Sequence, residues 1–146
     1  MRNDLPLTVT GQVRDACLCL HMQRAARALA RRFDRALRPH GLTNGQFSLL
    51  MSLNRPVAPC IGDLAPLLGM DRSTITAILK PLERRQLVEI LVDAADRRSR
   101  RLQLTAAGRA LLVKALPTWR ALHAQIEAQL PGNDADRLRA DLRALG

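Results

Sequence analysis

"IGDLAPLLGMDRSTITAILKPLERRQLVEILVDAADRRSRRLQLT", Ile61 to Thr105, decides the fold. Its first part carries Ile61, Leu64, Leu67 and Leu68 at helical spacing and stops at Gly69, whose freedom to take positive φ suits a tight turn. Asp71 then serves as N-cap for a longer helix in which Ile75, Ile78, Leu79 and Leu82 face inward. A short helix, a glycine-containing turn and a capped second helix make the helix-turn-helix plan. Off the apolar face of the second helix stand Arg72, Ser73, Thr74, Thr76 and Ala77, followed by Lys80, Arg84 and Arg85. Small hydroxyl side chains followed by cations are what a reader of the DNA major groove needs: donors, acceptors and methyl-sized contacts for base edges, then positive charge for phosphates. An ordinary amphipathic surface helix has the same pattern.

Beyond this helix, Leu87 to Val92 alternates like a strand, Val88, Ile90 and Val92 against Leu87, Glu89 and Leu91. Leu102 and Leu104 mark the returning strand, which makes Asp93 to Arg101 the hairpin tip. Arg97, Arg98, Arg100 and Arg101 put four arginines into five positions there. A basic hairpin directly after a helix-turn-helix is a wing, placed so that arginines can enter the adjacent minor groove or grip its phosphates. Asp96 is expected to hold the Arg98 guanidinium in a bidentate pair and so fix its direction. Pro66 and Pro81 each remove a backbone donor inside the two helices and favour a bend, and Gln86 stands where a glycine would be comfortable at positive φ.

Residues 1 to 12, with Pro6 and Gly11, read as a loose arm. From Asp15 to about Arg38 a helix is expected, with Leu18, Met22, Ala25, Leu29, Phe33 and Ala36 on one face, stopped by Pro39 and Gly41. Arg24, Arg27, Arg31, Arg35 and Arg38 form a basic stripe on another face. Phosphates, a membrane surface or plain solvation all suit such a stripe, although the Ala-rich apolar face offers little area for membrane insertion. Thr43 caps a second helix holding Phe47, Leu49, Leu50 and Leu53, which ends near Asn54, before Pro56. After the wing, Thr105 caps a helix from Ala106 in which Leu112, Ala115, Trp119, Leu122 and Ile126 recur toward Leu130, with Pro117 expected to kink or split it. Pro131 and Gly132 break the chain, and Asn133 is placed to cap a last helix whose narrow apolar face is Leu138, Leu142 and Leu145. A winged core closes without such terminal helices. The expected architecture is therefore one domain, residues 1–146, mainly α with a small β-hairpin wing: a winged helix-turn-helix region at 43–105, and dimerisation helices at 13–40 and 106–146 as a surface for a second copy of the chain.

Composition narrows the functions. Basic residues exceed acidic ones by 10, and since only Lys80 and Lys114 are lysine, arginine supplies almost all of the positive charge. Such a balance suggests an acidic partner, most simply nucleic acid, unless it serves solubility alone. Two Phe, one Trp and no Tyr leave no stacking platform for single strands, which argues against RRM-like or OB-type binding. With no run of about 20 apolar residues and no apolar stretch in the first residues, the protein is expected in the cytoplasm and off the membrane. Cys17, Cys19 and Cys60 form neither an even framework nor a CxxC pair. Lacking metal spacing, a paired nucleophile and base, or a Gly-rich phosphate loop, the chain is expected to hold no metal or cofactor and not to be an enzyme.

The order helix, helix, "LAPLLGMDRSTITAILKPLERRQLV", wing "DAADRRSRRLQLT", "AAGRALL" and long terminal helices resembles the MarR family of winged helix-turn-helix transcriptional regulators over nearly the whole chain. The most specific piece is "DRRSRRLQLTAAG". This resemblance implies a homodimer whose N- and C-terminal helices interlock while two winged regions straddle a pseudo-palindromic operator in double-stranded DNA. It also implies repression of a nearby gene, relieved by a small, often phenolic or aromatic ligand or by cysteine oxidation. Carried over by position, Arg98 would be the minor-groove arginine of the wing tip with Asp96 its partner, and Arg72 to Thr76 would lie in the major groove. The family's ligand pocket lies between the dimer helices and the winged region. Met22, Phe33, Phe47 and Trp119 are its candidates here, each read as core before ligand contact. Cys19 matches the place of the reactive cysteine in the organic-hydroperoxide-sensing branch, but Phe33 and Asn44 stand where that branch has tyrosines to stabilise a thiolate. Cys17 and Cys19, two apart and roughly 200° around a helix, are not expected to bridge. His21 is read as an ordinary helical histidine. Two functions therefore compete: a dimeric, sequence-specific regulator, and an architectural protein that binds DNA by charge alone. The hydroxyl-bearing helix face, which pure charge binding does not need, favours the first.

Overall fold

The computed structural model describes residues 4–146. They run α1 (Leu7–Ala16), α2 (Leu18–Leu37), α3 (Asn44–Ser52), α4 (Ile61–Leu68), α5 (Arg72–Arg84), β1 (Val88–Val92), β2 (Arg100–Leu104), α6 (Ala106–Ala128) and α7 (Ala135–Leu145). The expected fold class is what is found: a mainly helical chain whose one sheet among the described residues is the two-stranded β1–β2 hairpin. No helix among the described residues is long and apolar enough to cross a membrane.

Local chemistry sets the element ends. Thr43 Oγ1 accepts the Gln46 N–H at 3.1 Å while Gln46 Oε1 accepts the Thr43 N–H at 3.0 Å, a reciprocal capping box that starts α3. Asp34 Oδ1 accepts the Asn44 N–H at 2.7 Å and ties that start to α2. Thr105 Oγ1 accepts the Gly108 N–H at 3.0 Å and starts α6. Gly69, at φ 63°, ends α4 in the left-handed conformation that lets the chain turn at once into α5. Gln86 takes φ 59° at the entry to β1, the position where a glycine would be free of strain.

Those elements close on one apolar core. α2 packs on α3 and α6, and α5 packs on α3, α4 and β1. Leu37, Leu49, Leu50, Leu64, Ile75, Leu82 and Leu102 are wholly inaccessible, and no polar or charged side chain is buried among the described residues. Removing each such side chain from water contributes roughly 1.5–3 kcal/mol. β1 and β2 pair antiparallel with Val88 opposite Leu104, Ile90 opposite Leu102 and Val92 opposite Arg100. Gly108 lies against the Leu87 carbonyl oxygen and Leu104 Cδ1, so close that a Cβ there would collide with the backbone. Only glycine lets α6 start this near the sheet.

Several expectations at the ends of the chain need correction. Residues 7–12 are not a loose arm but part of α1, which starts after the extended Pro6 and buries no residue. The first long helix begins at Leu18, not Asp15, because Cys17 is extended at ψ 108° and breaks the run. The helical stretch expected at 13–40 is therefore the end of α1, a break and α2, and α1 itself begins at Leu7. Pro117 does not split α6, which runs unbroken from Ala106 to Ala128. Asp134, not Asn133, caps the last helix: its Oδ1 accepts the Arg137 N–H at 2.9 Å, while Asn133 sits in the preceding turn at φ 52°. Val92 is 57% exposed because its partner strand offers Arg100 there, beyond the apolar part of the hairpin.

Candidate nucleic-acid interface

The first turn of α5 is held by its cap. Asp71 Oδ1 accepts the Thr74 N–H at 2.8 Å and the Ser73 hydroxyl at 3.0 Å. The Thr74 hydroxyl, then the Thr74 N–H and the Ser73 hydroxyl, hold the Asp71 carboxyl below the usual carboxylate range, so the cap stays ionised. With Ile75, Leu79 and Leu82 buried, Arg72, Ser73, Thr74 and Lys80 remain exposed on the outer face and Thr76 half-buried. The Thr76 hydroxyl donates to the Arg72 carbonyl at 2.8 Å, leaving its oxygen an acceptor toward solvent. Arg72 is exposed but leans toward α4. Its guanidinium folds back across the turn, where a Cβ added to Gly62 would come within 3.2 Å of Nη2.

The wing differs from its expected form at three of its charged residues. Its loop spans residues 93–99, so Arg100 and Arg101 belong to β2 and not to the tip. Arg101 does not present its charge outward: Nη2 lies 2.9 Å from Asp93 Oδ2, Nε donates to the same oxygen at 3.0 Å, and Nη1 donates to the Ala58 carbonyl at 3.1 Å. Asp93 is thereby held below the usual carboxylate range, by the Ala95 N–H and then by Arg101. The buried Pro59 also takes part, its carbonyl accepting the Leu102 N–H at 2.8 Å, so the loop before α4 buttresses the hairpin. Asp96 does not clamp the Arg98 guanidinium. Its Oδ1 accepts the backbone N–H of Arg98 at 3.0 Å, which shapes the turn and leaves both Arg97 and Arg98 side chains exposed.

Helix and wing share one space. A cleft of about 190 Å³ opens between the first turn of α4, the start of α5 and the wing, lined by Cys60, Gly62, Arg72, Arg98 and Arg100. Asp63, on its edge, accepts the Cys60 N–H at 3.0 Å and thiol at 3.2 Å, which keeps its carboxyl ionised, with Arg101 4.0 Å away.

Elsewhere, Phe33, Phe47 and Trp119 come together as a stack. Trp119 lies with its ring centroid 6.2 Å from Phe33, 6.1 Å from Phe47 and 4.6 Å from His123. Phe33 and Phe47 are buried, whereas Met22, Trp119 and His123 are half-buried. Cys19 is exposed, and its sulfur accepts a hydrogen bond from Gln23 Nε2 at 3.3 Å. Because Cys17 lies outside the helix as the N-cap of α2, the two cysteines are not related by helical geometry.

A capped helix-turn-helix followed by a buttressed basic hairpin defines a winged helix-turn-helix DNA-binding protein. The family model for the MarR family matches residues 42–99. Among curated proteins, the chain is 32% identical over 121 residues to the transcriptional activatory protein BadR of Rhodopseudomonas palustris, covering 80% of this chain and 69% of BadR. It is 31% identical over 132 residues to the transcriptional repressor MprA of Escherichia coli K12, covering 88% of this chain and 72% of MprA. Among solved structures, the M. tuberculosis transcriptional regulator MosR in complex with DNA superposes with a TM-score of 0.80 at 42% identity, over 88% of this chain and 92% of MosR. The chain belongs to the MarR family of DNA-binding transcriptional regulators, proteins that are not enzymes.

Proposed function

We propose that the protein is a homodimeric, sequence-specific regulator that binds a pseudo-palindromic operator in double-stranded DNA in the cytoplasm and represses the adjacent gene until a small effector releases it. The observation that carries this reading is the pairing of an outer face with Ser73, Thr74 and Lys80 exposed on α5 with a wing that leaves Arg97 and Arg98 free beside it. Bases are read by Ser73, Thr74 and Thr76 in the major groove, with Lys80 on phosphate, while Arg97 and Arg98 reach the flanking minor groove. Asp96 shapes the turn that presents Arg98, and Arg101 acts through the wing's rigidity.

Dimerisation is supported by the apolar side chains that the terminal helices leave in solvent: Leu7, Val13, Leu18, Leu138, Leu142 and Leu145 are all exposed. A second copy is the simplest cover for them. Repression rests on the likeness to MprA. The half-buried Trp119–His123 stack, with ring centroids 4.6 Å apart, is the candidate contact for a flat aromatic or phenolic effector. Trp119 is the only tryptophan of the chain, so quenching of its fluorescence reports such binding directly.

The test is selection of bound sequences from a random duplex pool at near-physiological salt. Inverted repeats with half-site centres about 10 base pairs apart are expected. A featureless pool whose binding merely collapses as salt rises supports the architectural alternative instead.

A further inference from the structure

Five arginines form a row along α2 that neither the winged region nor the proposed dimer accounts for: Arg24, Arg27, Arg31, Arg35 and, just past the helix end, Arg38. All five are exposed, and among the described residues none is paired with a carboxylate. Spaced by three or four residues, they keep to one side of the helix over about 21 Å, at a rise of about 1.5 Å per residue. Like charges at this spacing repel one another and weaken a helix. The side of α2 that would have to enter a membrane carries Phe33 and Leu37 into the core, against α3 and α6, which removes one of the three occupants that the row suits. A second copy of the chain does not bring the missing charge either. On the terminal helices Asp15 pairs with Arg14, Asp134 caps α7, Asp141 lies 3.5 Å from Arg137, and Arg139 holds both Glu127 and Asp136. Asp34, the one carboxylate of α2, accepts the Asn44 N–H. Between the arginines Ala25 and Ala28 leave a shallow saddle of about 630 Å³, edged by His21, Arg24, Arg27 and Arg31. At roughly 30 Å³ per water, that is room for a polyanion backbone and not only for a single ion. Plain solvation leaves the repulsion along the row unanswered, whereas a polyanion lying on it relieves that repulsion and releases its own counterions.

We propose that the arginine row of α2 is a second DNA-binding surface, which grips the phosphates of a further duplex segment without reading its sequence while the winged region occupies the operator. The protein then holds two DNA segments together, an activity beyond the regulator reading. Duplex DNA has the form the row calls for: it carries one negative charge per about 1.7 Å of axis, so a row about 21 Å long meets several phosphates at once. The two surfaces stand on different elements, since α2 packs on α3 and α6 while α5 packs on α3, α4 and β1. Sequence reading and charge binding thus occupy separate faces of one chain.

The test uses the full-length chain saturated with a short duplex limited to its selected operator. A labelled random-sequence duplex is then added and followed by fluorescence anisotropy from about 50 to 200 mM potassium chloride. The parent is expected to bind the added duplex without releasing the operator, and to lose roughly a hundredfold of that affinity across the salt range, as contact with about four phosphates requires. Arg24→Gln, Arg27→Gln, Arg31→Gln and Arg35→Gln together are expected to abolish binding of the added duplex, with operator affinity within about threefold of the parent. These side chains are exposed, so the thermal midpoint is expected not to fall. Lysine at the same four positions is expected to retain the added duplex, because a point charge also binds phosphate. Arg97→Ala with Arg98→Ala is expected to do the reverse of the glutamine set, weakening the operator complex several-fold and sparing the added duplex. An added duplex that binds only by displacing the operator, or that the glutamine variant binds as the parent does, overturns the second surface. So does a lysine variant that binds no better than the glutamine one, or operator and added duplex lost in equal measure. A parent that prefers no sequence overturns the regulator reading alone; random-duplex binding is then compared between parent and glutamine variant, and an unchanged salt slope overturns the second surface as well.

Discussion

The winged region and the terminal helices both carry large apolar side chains, with opposite outcomes. In the former, Leu49, Leu50, Leu64, Ile75, Leu82 and Leu102 have no exposed surface at all. In the latter, α1 and α7 bury no residue, and Leu7 is 88% exposed. α2 and α6 join the two regimes: Phe33 and Leu37 near the end of α2, with Leu112 and Ala115 on α6, belong to the core, while Leu18 at the start of α2 stands in solvent. An amphipathic helix has most of its stability from what its apolar face touches, not from its own propensity. The winged region finds that cover within its own chain. The terminal helices find no such cover among the described residues, and the proposed second copy would supply it.

The largest expected effect falls on the uncovered ends. Replacing both Leu138 and Leu142 by glutamate should abolish the proposed dimer: at about 1 kcal/mol for each of the four half-exposed leucines lost, the association constant falls by roughly a thousandfold or more. Sedimentation equilibrium reads this, and a dimer that survives would break the contrast between the two regions. Next comes Leu64→Ala, which should cost about 2–5 kcal/mol by leaving a cavity under α4. Urea unfolding measures it, and a cost as small as a surface change would mean that the winged region is not the self-sufficient half.

Gln86→Gly should raise stability by roughly 0.5–1 kcal/mol by relieving the left-handed backbone before β1, provided the gain exceeds the added freedom of the unfolded chain. A lower thermal midpoint would assign Gln86 a contact that outweighs the strain. The smallest effect concerns the wing. Asp93 is held ionised below its unfolded value, so its stabilisation is complete above the ordinary aspartate range near pH 4 and fades as pH falls through the lower folded value. The thermal midpoint of Asp93→Asn should therefore lie below that of the parent at pH 7, with the gap closing under acid. A gap that stays constant would show that the contribution is not ionic.

Most helix starts were legible because caps are local. Thr43, Asp71 and Thr105 act within three residues of themselves, and each is found as its sequence context predicts. Gly69 and Gln86 likewise fall at turns that demand a left-handed backbone. Other features were hidden for corresponding reasons. α1 has no apolar periodicity to reveal it, since nothing in its own chain packs on it. The roles of the arginines depend on what approaches them: in the wing, Arg101 is spent on Asp93 and Ala58, the latter 43 positions away, whereas Arg97 and Arg98 stay exposed. A pair such as Asp93 and Arg101, opposite charges bounding a hairpin loop, is the kind of signal that would have pointed to the buttress.

The sequence by itself determined the order of elements, the capped helix-turn-helix, the basic hairpin and the excess of charge, all properties of neighbours along the chain. Only the tertiary structure decided which arginines remain free for DNA, because a guanidinium is committed by the carboxylate or carbonyl that folding brings within about 3 Å of it. The same folding placed Arg72, Arg98 and Arg100 around one cleft and left Leu138, Leu142 and Leu145 uncovered.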